Sequence, residues 1–362
     1  MNERQSILEI STSAFKHNIE EIKKIIGLNK DIMYVMKANS YGTYLNKNIS
    51  LIKDFKIIAT AIVKEAVELR ELGFENEIFV LNQPYLEDID NVVKYNVTIG
   101  IASLSFLEQL SKLKSNFTIH LELETGMGRT GFNIADLDNV LKFLQTTKNI
   151  KVEGVYTHLS SADKDQEFTN SQMTLFKQGV AKIKEYYKDI KYIHAEASNG
   201  ILNVNDAICN LVRPGILLYG YPPADNMPKT LNFRPVAKLK SHVLFIKEVP
   251  KGTSISYGRT FITPKKMTIA TIGIGYADGI RRNLSNKGKV IIKDKIVPIV
   301  GTVCMDSFMI DVTDIKDVKV GDYVYIWDNE NITLEEIAEE CNTINYEILS
   351  TISNRVPRVF ID

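Results

Sequence analysis

The sequence predicts an α/β fold class, in which an N-terminal (β/α)8 TIM-like barrel precedes a C-terminal, mainly antiparallel β domain. Two observations favour the barrel. Short runs rich in Ile and Val alternate with amphipathic segments over the first two-thirds of the chain. Apolar runs without clean alternation are typical of parallel strands covered on both faces. Eight strand–helix units in sequence favour a closed barrel over an open doubly wound sheet.

The elements of the barrel follow in chain order. Its strands are predicted at eight apolar runs, residues 32–36, 57–62, 77–81, 97–101, 117–123, 151–157, 192–194 and 216–219. Helical periodicity lies between the runs at residues 63–72, 104–113, 136–144 and 169–187. Each helix is long enough to carry the chain back to the start of the next parallel strand.

From about Leu231 the pattern changes to extended segments separated by Gly or Asn-Gly-type breaks, which is typical of antiparallel sheet. We expect one helix here, at residues 334–340, because Thr333 and Glu336 form the signature of a capping box. The strands are predicted at residues 237–247, 267–274, 289–299, 307–312 and 323–327.

A cluster of prolines marks the change between the two patterns. Pro222, Pro223 and Pro228 favour a break in regular structure there. We therefore expect a barrel domain over residues 1–230 and a β domain over residues 231–362.

The composition is that of an ordinary globular chain, with 44% hydrophobic and 24% charged residues among 362. Lys+Arg and Asp+Glu both number 44, so the formal net charge is zero. This balance leaves no basic excess to attract nucleic acid or anionic lipid. We expect no nucleic-acid partner.

Three isolated cysteines and the absence of an apolar leader suggest a cytoplasmic protein. Cys209, Cys304 and Cys341 form no CxxC pair, so we expect reduced thiols and no metal site. No run of 18 apolar residues occurs, and residues 1–5 lack an apolar signal core. A membrane segment on a longer parent chain, of which this would be the cytoplasmic part, stays open.

The stretch around Lys37 is the strongest functional signal. An apolar run ends at this lysine, and small and polar residues follow at once before a turn at Gly42. A buried strand would thus deliver an amine to its C-terminal end, where lost hydration favours the neutral, nucleophilic form. The alternative is a lysine whose stem is buried and whose ammonium reaches water.

Other polar residues follow later predicted strands and should reach the same rim. Arg129 follows the fifth strand, His158 the sixth and Ser198 the seventh, while Arg213 belongs to the eighth. The C-terminal ends of barrel strands meet at one face, where the active sites of such barrels lie. The sequence therefore predicts a polar site at that face.

The loops after the seventh and eighth strands often bind phosphate in barrels of this kind. A hydroxyl at Ser198 and backbone N–H groups at Gly215 and Ile216 would serve. The alternative is that Ser198 caps a helix and that Pro214-Gly215 is only a turn.

These motifs resemble those of the alanine racemase family over nearly the whole chain. They are Lys37-Ala38-Asn39 with Tyr41-Gly42, Thr125-Gly126-Met127-Gly128-Arg129, Tyr156-Thr157-His158, Arg213-Pro214-Gly215, Ser256-Tyr257-Gly258, Gly275-Tyr276-Ala277-Asp278-Gly279, Cys304-Met305-Asp306 and Arg355-Val356-Pro357-Arg358. The resemblance implies a pyridoxal 5'-phosphate enzyme whose cofactor is attached to Lys37. It also implies the roles of the remaining cofactor-binding residues: phosphate for Tyr41, Ser198, Gly215 and Ile216, the pyridine nitrogen for Arg213, the ring hydroxyl for Arg129, and the underside of the ring for His158.

By the same resemblance the reaction is racemisation of small amino acids with two bases, Lys37 and Tyr257. Tyr257 would come from the partner subunit of a head-to-tail homodimer, together with Tyr276 and Met305, which with Arg129 bind substrate. His158 would orient Tyr257, and we expect His158 and Arg213 to favour its phenolate as nearby cations. The product would supply D-amino acids for cell-wall precursors.

Three departures from the family pattern carry information. Thr43 and Tyr44 replace the usual His-Gly after the lysine motif. Glu122 stands where many members carry a lysine carbamate, so we expect no modified lysine and a charge-assisted bond from Glu122 to Arg129. Asn354 replaces a tyrosine of the inner pocket.

The smaller, hydrogen-bonding Asn354 predicts that serine is accepted as well as alanine. The same asparagine occurs in the racemase half of the membrane serine racemases associated with vancomycin resistance, which the chain also resembles. A structural asparagine is the alternative, and the serine-to-alanine preference stays open.

Other functions on the same barrel stay open. A racemase of broader or basic specificity needs only a wider pocket. The motifs around Tyr257 and Met305 argue against a basic amino-acid decarboxylase. A pyridoxal-phosphate carrier would be a single barrel, and this chain has a second domain.

Overall fold

The structure is a computed structural model that describes residues 6–224 and 231–362. The described chain forms two compact units. The barrel unit comprises Lys16–Ser40 and Leu45–Arg234, and the β unit comprises Met1–Phe15, Tyr41–Tyr44 and Pro235–Asp362. The predicted break at Pro228 and the N-terminal residues 1–5 lie outside the described residues.

The strands of the described chain follow the apolar runs of the sequence. In chain order they are β1 Ile7–Ser11, β2 Asp31–Val35, β3 Ile57–Thr60, β4 Glu77–Val80, β5 Thr98–Ile101, β6 Phe117–Glu122, β7 Ile150–Tyr156, β8 Tyr192–His194, β9 Leu211–Val212, β10 Ala237–Val249, β11 Ser254–Ile255, β12 Phe261–Ile262, β13 Met267–Ile272, β14 Lys289–Ile292, β15 Lys295–Pro298, β16 Phe308–Asp311, β17 Tyr323–Trp327 and β18 Arg358–Ile361.

Each α-helix of the described chain buries apolar side chains. The helices described along the chain are Thr12–Ile26, Ile49–Ile52, Val63–Glu71, Ile89–Lys94, Leu104–Ser111, Leu137–Thr146, Gln166–Tyr186, Ser198–Asn203, Leu334–Glu340 and Asn345–Ser350. None of them is long and apolar enough to cross a membrane.

The predicted barrel is confirmed. Eight parallel strands pair in the order β8-β7-β6-β5-β4-β3-β2-β9. Beyond the ends of β8 and β9, a parallel bridge between Ala197 and Arg213 nearly closes the ring. The strands are apolar and buried on both faces, as in β3, where all four residues are buried. Because the eight strands are parallel, their C-terminal ends lie at one rim.

The prediction for the eighth strand was wrong. Ile216–Tyr219 forms a 3-10 helix, and the strand is Leu211–Val212. Pro214 has no N–H with which to continue a ladder, and Gly215 leaves the extended region with φ −109° and ψ −95°. A fully buried apolar run does not by itself distinguish a strand from a short helical turn.

The single strand predicted at residues 289–299 is a hairpin of β14 and β15. It turns at Lys293 and Asp294, which have φ values of 46° and 59°. The other predicted strands end within two residues of those observed, and the predicted helices within three. The predicted capping box is present, with the Thr333 hydroxyl accepting from the Glu336 N–H at 3.2 Å.

The β unit is built on a mainly antiparallel eight-stranded sheet, as predicted. The strand order is β15-β14-β17-β10-β1-β18, with β13 beside β10 and β16 beside β13. Strand β1 pairs antiparallel with β10 and parallel with β18. The start of the chain thus belongs to the sheet formed by its end. No strand was predicted at β1, because its pairing is set by residues more than 200 positions away.

Candidate functional site

Lys37 follows strand β2 directly, at the C-terminal rim of the barrel unit. Met36, before it, is buried, and Lys37 itself is half-buried. Ala38, Asn39 and Ser40 then have φ between 51° and 54° and ψ between 49° and 52°, a left-handed turn that continues to Tyr41 at φ 56°. This conformation costs L-residues roughly 1–2 kcal/mol each. Such strain persists at functional sites when the surroundings hold it.

Three hydrogen bonds in the barrel unit hold the left-handed turn. The Ser40 N–H donates to the Met36 carbonyl at 3.1 Å, and the Ser40 hydroxyl accepts from the Asn46 N–H at 2.9 Å. The carboxylate of Glu65 accepts from the Ala38 N–H at 2.6 Å. The backbone that follows the lysine is therefore fixed by groups outside the turn.

The surroundings of Lys37 lower the pKa of its amine. Burial is the largest cause, and the positive charges of Arg129 and Arg213 act in the same direction. The negative charge of Glu65 opposes them. More of the amine is thus neutral near physiological pH, the direction required for a nucleophile.

Arg213 is only 2% exposed and donates through both terminal nitrogens. Its Nη1 donates to Nδ1 of His194 at 2.7 Å and to the His194 carbonyl at 2.8 Å. Its Nη2 donates to the carbonyls of Thr157 at 2.8 Å and Ala195 at 3.2 Å. These bonds use the four terminal N–H groups and leave the Nε–H for another acceptor. Burial lowers the pKa of Arg213 to about 10, so it stays charged at neutral pH.

A second histidine extends this chain of hydrogen bonds through the barrel. Because Arg213 can only donate, Nδ1 of His194 must accept, and its proton lies on Nε2. That nitrogen lies 2.9 Å from Nδ1 of His120. The proton of His120 then lies on its own Nε2, which has no partner among the residues that the structure describes.

His120 and His194, the two histidines of this hydrogen-bond network, are neutral. Burial, with the charges of Lys191 and Arg213, lowers the pKa of His120 to about 3. Burial and Arg213 lower the pKa of His194 well below its usual range. Neither histidine was predicted as a site residue. The feature that could have indicated them is a polar histidine within each of the apolar strands β6 and β8.

His158 is also neutral, which corrects its expected role as a cation. Burial is the main cause that lowers its pKa to about 3, followed by the charges of Arg213, Arg129 and Lys37. A positive charge on His158 would be repelled by these three neighbours. Arg213 is left as the buried cation of the pair that the sequence analysis proposed.

The carboxylate of Glu122 lies at the end of β6 and is buried. It accepts from the Thr130 hydroxyl at 2.9 Å and from the Tyr156 hydroxyl at 3.2 Å. Burial raises the pKa of this carboxyl, while Thr130 and the charge of Arg129 act against the rise. The expected direct bond to Arg129 is not among the contacts of the described residues. Arg129 follows the glycine-rich segment Gly126-Met127-Gly128 and is exposed.

Three of the four predicted phosphate-binding residues, Ser198, Gly215 and Ile216, lie in the barrel unit. The hydroxyl of Ser198, at the start of the helix Ser198–Asn203, accepts from the Gly215 N–H at 3.0 Å and the Leu217 N–H at 3.4 Å. Ser198, Gly215 and Ile216 are all buried. A hydroxyl beside backbone N–H groups is the donor set that an anion requires.

The β unit holds the other predicted site residues, and several of them face outward. The exposed fraction is 72% for Tyr257, 42% for Tyr276 and 51% for Met305. The loops of Tyr276 and Met305 are joined, since the Ala277 N–H donates to the Met305 carbonyl at 3.0 Å. Gly275 permits this approach, because a Cβ there would collide with the carbonyl oxygen of Met305.

Tyr41 is buried in the β unit, and burial, with Tyr346, raises the pKa of its phenol. It follows Ser40 in the sequence, where the chain passes from the barrel unit to the β unit.

Two of the positions that depart from the family pattern contact one another in the β unit. The Tyr44 hydroxyl donates to Oδ1 of Asn354. Tyr44 has φ 61°, a conformation that glycine would adopt without strain. The guanidinium of Arg358 lies 4.7 Å from the centre of the Tyr44 ring and donates to the Gly42 carbonyl at 2.8 Å. The Nδ2 group of Asn354 makes no hydrogen bond to another described residue.

The barrel unit therefore brings together seven of the predicted residues, and the β unit holds five. The seven are Lys37, Arg129, His158, Ser198, Arg213, Gly215 and Ile216. The five are Tyr41, Tyr257, Tyr276, Met305 and Asn354. Within the described ranges, no group of His, Cys, Asp and Glu side chains could hold a metal ion.

Known proteins have two domains in the same order along the chain. The family model described as alanine racemase, N-terminal domain, matches residues 10–223, and the model for the C-terminal domain matches residues 236–360. Alanine racemase 2 of Caldanaerobacter subterraneus is 37% identical over 99% of the chain and 95% of its own length. Alanine racemase of Clostridium novyi is 39% identical over 98% of the chain and 94% of its own length.

A solved structure of alanine racemase from Clostridium difficile 630 has the same fold. It superposes with a TM-score of 0.92 at 34% identity, covering 100% of this chain and 97% of the other.

The chain of hydrogen bonds behind Arg213 predicts a loss of stability in His194→Ala. The substitution leaves a buried Arg213 N–H and Nδ1 of His120 without partners, and each unpaired buried group costs about 1–3 kcal/mol. We expect at least that decrease in the free energy of unfolding, measured by chemical denaturation. The ring ¹⁵N shifts of His194 and His120 should show both protons on Nε2.

The control is His17→Ala, since His17 is partly exposed and its Nε2 contacts the Asn232 carbonyl and lies 4.0 Å from a carboxylate oxygen of Glu21. Equal losses for the two variants, or a proton on Nδ1 of His194, would contradict the assignment.

Proposed function

The chain belongs to the alanine racemase family, whose members depend on pyridoxal phosphate, and on that premise we propose that it interconverts the L and D forms of alanine and also of serine. The observation that carries the proposal is the grouping in the barrel unit of the Lys37 amine with Arg129, Arg213 and His158, together with the hydrogen bond from the Gly215 N–H to the Ser198 hydroxyl. Its product would supply D-amino acids to cell-wall precursors.

The residues of the barrel unit fit the cofactor. Ser198 with the N–H groups of Gly215 and Ile216 would hold the phosphate, and Tyr41 would add its hydroxyl. The Arg213 Nε–H would face the pyridine nitrogen, Arg129 the ring hydroxyl, and His158 the underside of the ring. The Lys37 amine would attach the aldehyde carbon. When bound, the cofactor withdraws electrons from the substrate Cα and makes its C–H bond acidic.

Racemisation requires a proton to leave one face of Cα and to return to the other, so two proton carriers must face it from opposite sides. Lys37 is suited to one side, because its lowered pKa lets the amine take up and release a proton. Tyr257 would serve the other side. A free tyrosine gives up its proton only near pH 10, so a cation is needed to favour the phenolate, and Arg213 is the buried candidate.

Tyr257 would come from a second copy of the chain. Its side chain is 72% exposed, and Tyr276 and Met305 are exposed on the same unit. Large apolar and aromatic side chains in this state are typical of residues that contact a partner. We therefore propose a homodimer with composite sites, in which the Met305 N–H, Tyr276 and Arg129 bind the substrate carboxylate.

Serine turnover would depend on Asn354. The Tyr44 hydroxyl occupies Oδ1 of its amide, so the Nδ2 donors are available for a substrate hydroxyl. The amide donor would be paired when serine is bound and unpaired when alanine is bound. Such a difference lets a pocket discriminate between two substrates. The likeness to the serine racemases of vancomycin resistance rests on this residue.

The composite site predicts activity in a mixture of two inactive variants. Lys37→Ala and Tyr257→Phe should each lose at least about a thousandfold in alanine racemisation, since each lacks one proton carrier. In a mixed dimer, one of the two sites keeps both residues. With random pairing, about one quarter of wild-type activity should return after the two variants are unfolded and refolded together.

Polarimetry on L-alanine measures the recovery, and each variant refolded alone is the control. A mixture that stays as inactive as its components would exclude a site shared between subunits.

Asn354→Tyr should lower serine turnover at least about tenfold more than alanine turnover, because the substitution removes the amide donors and narrows the pocket. The kcat/KM values for both substrates measure the effect. Tyr44→Phe is the matched variant, since it frees the amide without adding volume and should change the serine-to-alanine ratio less. Equal losses on both substrates in Asn354→Tyr would count against the assignment of Asn354.

A further inference from the structure

The half-buried carboxylate of Glu65 contacts backbone from two loops of the barrel unit. Its Oε1 accepts from the Ala38 N–H at 2.6 Å. Its Oε2 accepts from the N–H groups of Ala61 at 2.8 Å and Ile62 at 3.4 Å. Ala38 follows strand β2, and Ala61 follows the neighbouring strand β3. One carboxylate thus connects the C-terminal ends of two adjacent strands.

Capping of the helix Val63–Glu71 accounts for only one of these three contacts. Glu65 is the third residue of that helix and reaches back to the Ile62 N–H with Oε2. A capping carboxylate needs no bond to another loop. The bond from the Ala38 N–H to Oε1 is therefore not part of the helix cap. It holds the residue that follows Lys37.

Glu336 shows what a carboxylate does when it only caps a helix. It is the third residue of the helix Leu334–Glu340 and accepts from the Thr333 N–H at 2.7 Å. Its recorded bonds all join it to Thr333. Glu336 is therefore a matched control for Glu65 within the same chain.

Glu65 also contributes charge at the site. Arg129, after β6, and Arg213, after β9, are positive and act on the amine of Lys37 together with burial. His158, after β7, is neutral at physiological pH. Glu65 is negative and acts against the two arginines. Its carboxylate thus limits how far the surroundings favour the neutral amine.

We propose that Glu65 is a positioning residue for Lys37, which holds the left-handed turn after the lysine through Ala38 and balances the two arginine charges at the amine. The proposal rests on the function proposed for Lys37. It explains how three consecutive residues of the barrel unit are kept in a conformation that L-residues avoid. It also gives the carboxylate two separable effects, one on the backbone and one on the charge.

Three variants separate these effects in the full-length chain freed of cofactor. Glu65→Gln removes the charge and weakens the bond to Ala38. Glu65→Asp keeps the charge and shortens the side chain, so that it no longer reaches both loops. Glu336→Gln weakens a helix cap in the β unit, to which Lys37 does not belong. Amide hydrogen exchange at Ala38, thermal melting, and the pH midpoint for covalent attachment of pyridoxal phosphate to Lys37 are measured for each.

In Glu65→Gln we expect Ala38 to exchange at least about tenfold faster, since a bond to a carboxylate is replaced by a weaker one. The pH midpoint of attachment should move down by about half a unit, because loss of the negative charge lowers the lysine pKa. Glu65→Asp should show the faster exchange with the wild-type midpoint. Glu336→Gln should show a lower melting temperature with neither of the other changes.

The proposal is overturned if Glu65→Gln differs from wild type only in melting temperature, as Glu336→Gln does. Should Glu65→Gln not fold, unchanged Ala38 exchange in Glu65→Asp overturns it equally. Failure of the proposed function looks different. In that case Lys37→Ala would still attach pyridoxal phosphate covalently with wild-type yield, whatever the Glu65 variants do.

Discussion

A lysine can act as nucleophile and base only if its amine is partly neutral at the working pH, and this constraint shapes the barrel rim. Burial of Lys37 disfavours the ammonium form, and Arg129 and Arg213 add to the effect. A buried strand delivers the amine, and the left-handed turn from Ala38 ends that strand at once. The positive charges around the amine are supplied by arginines, which do not change protonation near neutral pH.

The neutral histidines follow from the same constraint. His194 and His120 accept and pass on hydrogen bonds from Arg213 without adding charge, because burial keeps both unprotonated. The sequence predicted Arg213 at the rim, together with the polar residues that follow the fifth, sixth and seventh predicted strands. It could not predict the chain of hydrogen bonds behind Arg213, because His120 and His194 lie 74 positions apart and local patterns carry no information on pairing inside a barrel. The neutrality of His158 was missed for a related reason: burial is a property of the folded chain.

Much of the fold could be predicted because apolar periodicity is local. The strands and helices lie near their predicted positions, and the helix after Thr333 begins where its capping box indicates. The errors have physical causes. The run at Ile216–Tyr219 is fully buried, so its pattern does not distinguish strand from turn. Strand β1 joins a sheet through pairings with β10 and β18, which no local window contains. The left-handed turn could not be predicted either, since Ala38 and Ser40 do not favour that conformation.

The lowered pKa of Lys37 is the central claim, and a titration of the amine tests it most directly. NMR of the cofactor-free chain with isotopically labelled lysine side chains would follow each amine across pH, and Lys37→Ala would assign the Lys37 signal. The account predicts that Lys37 titrates clearly below the exposed lysines of the same chain. A Lys37 signal that titrates together with those of the exposed lysines would contradict it.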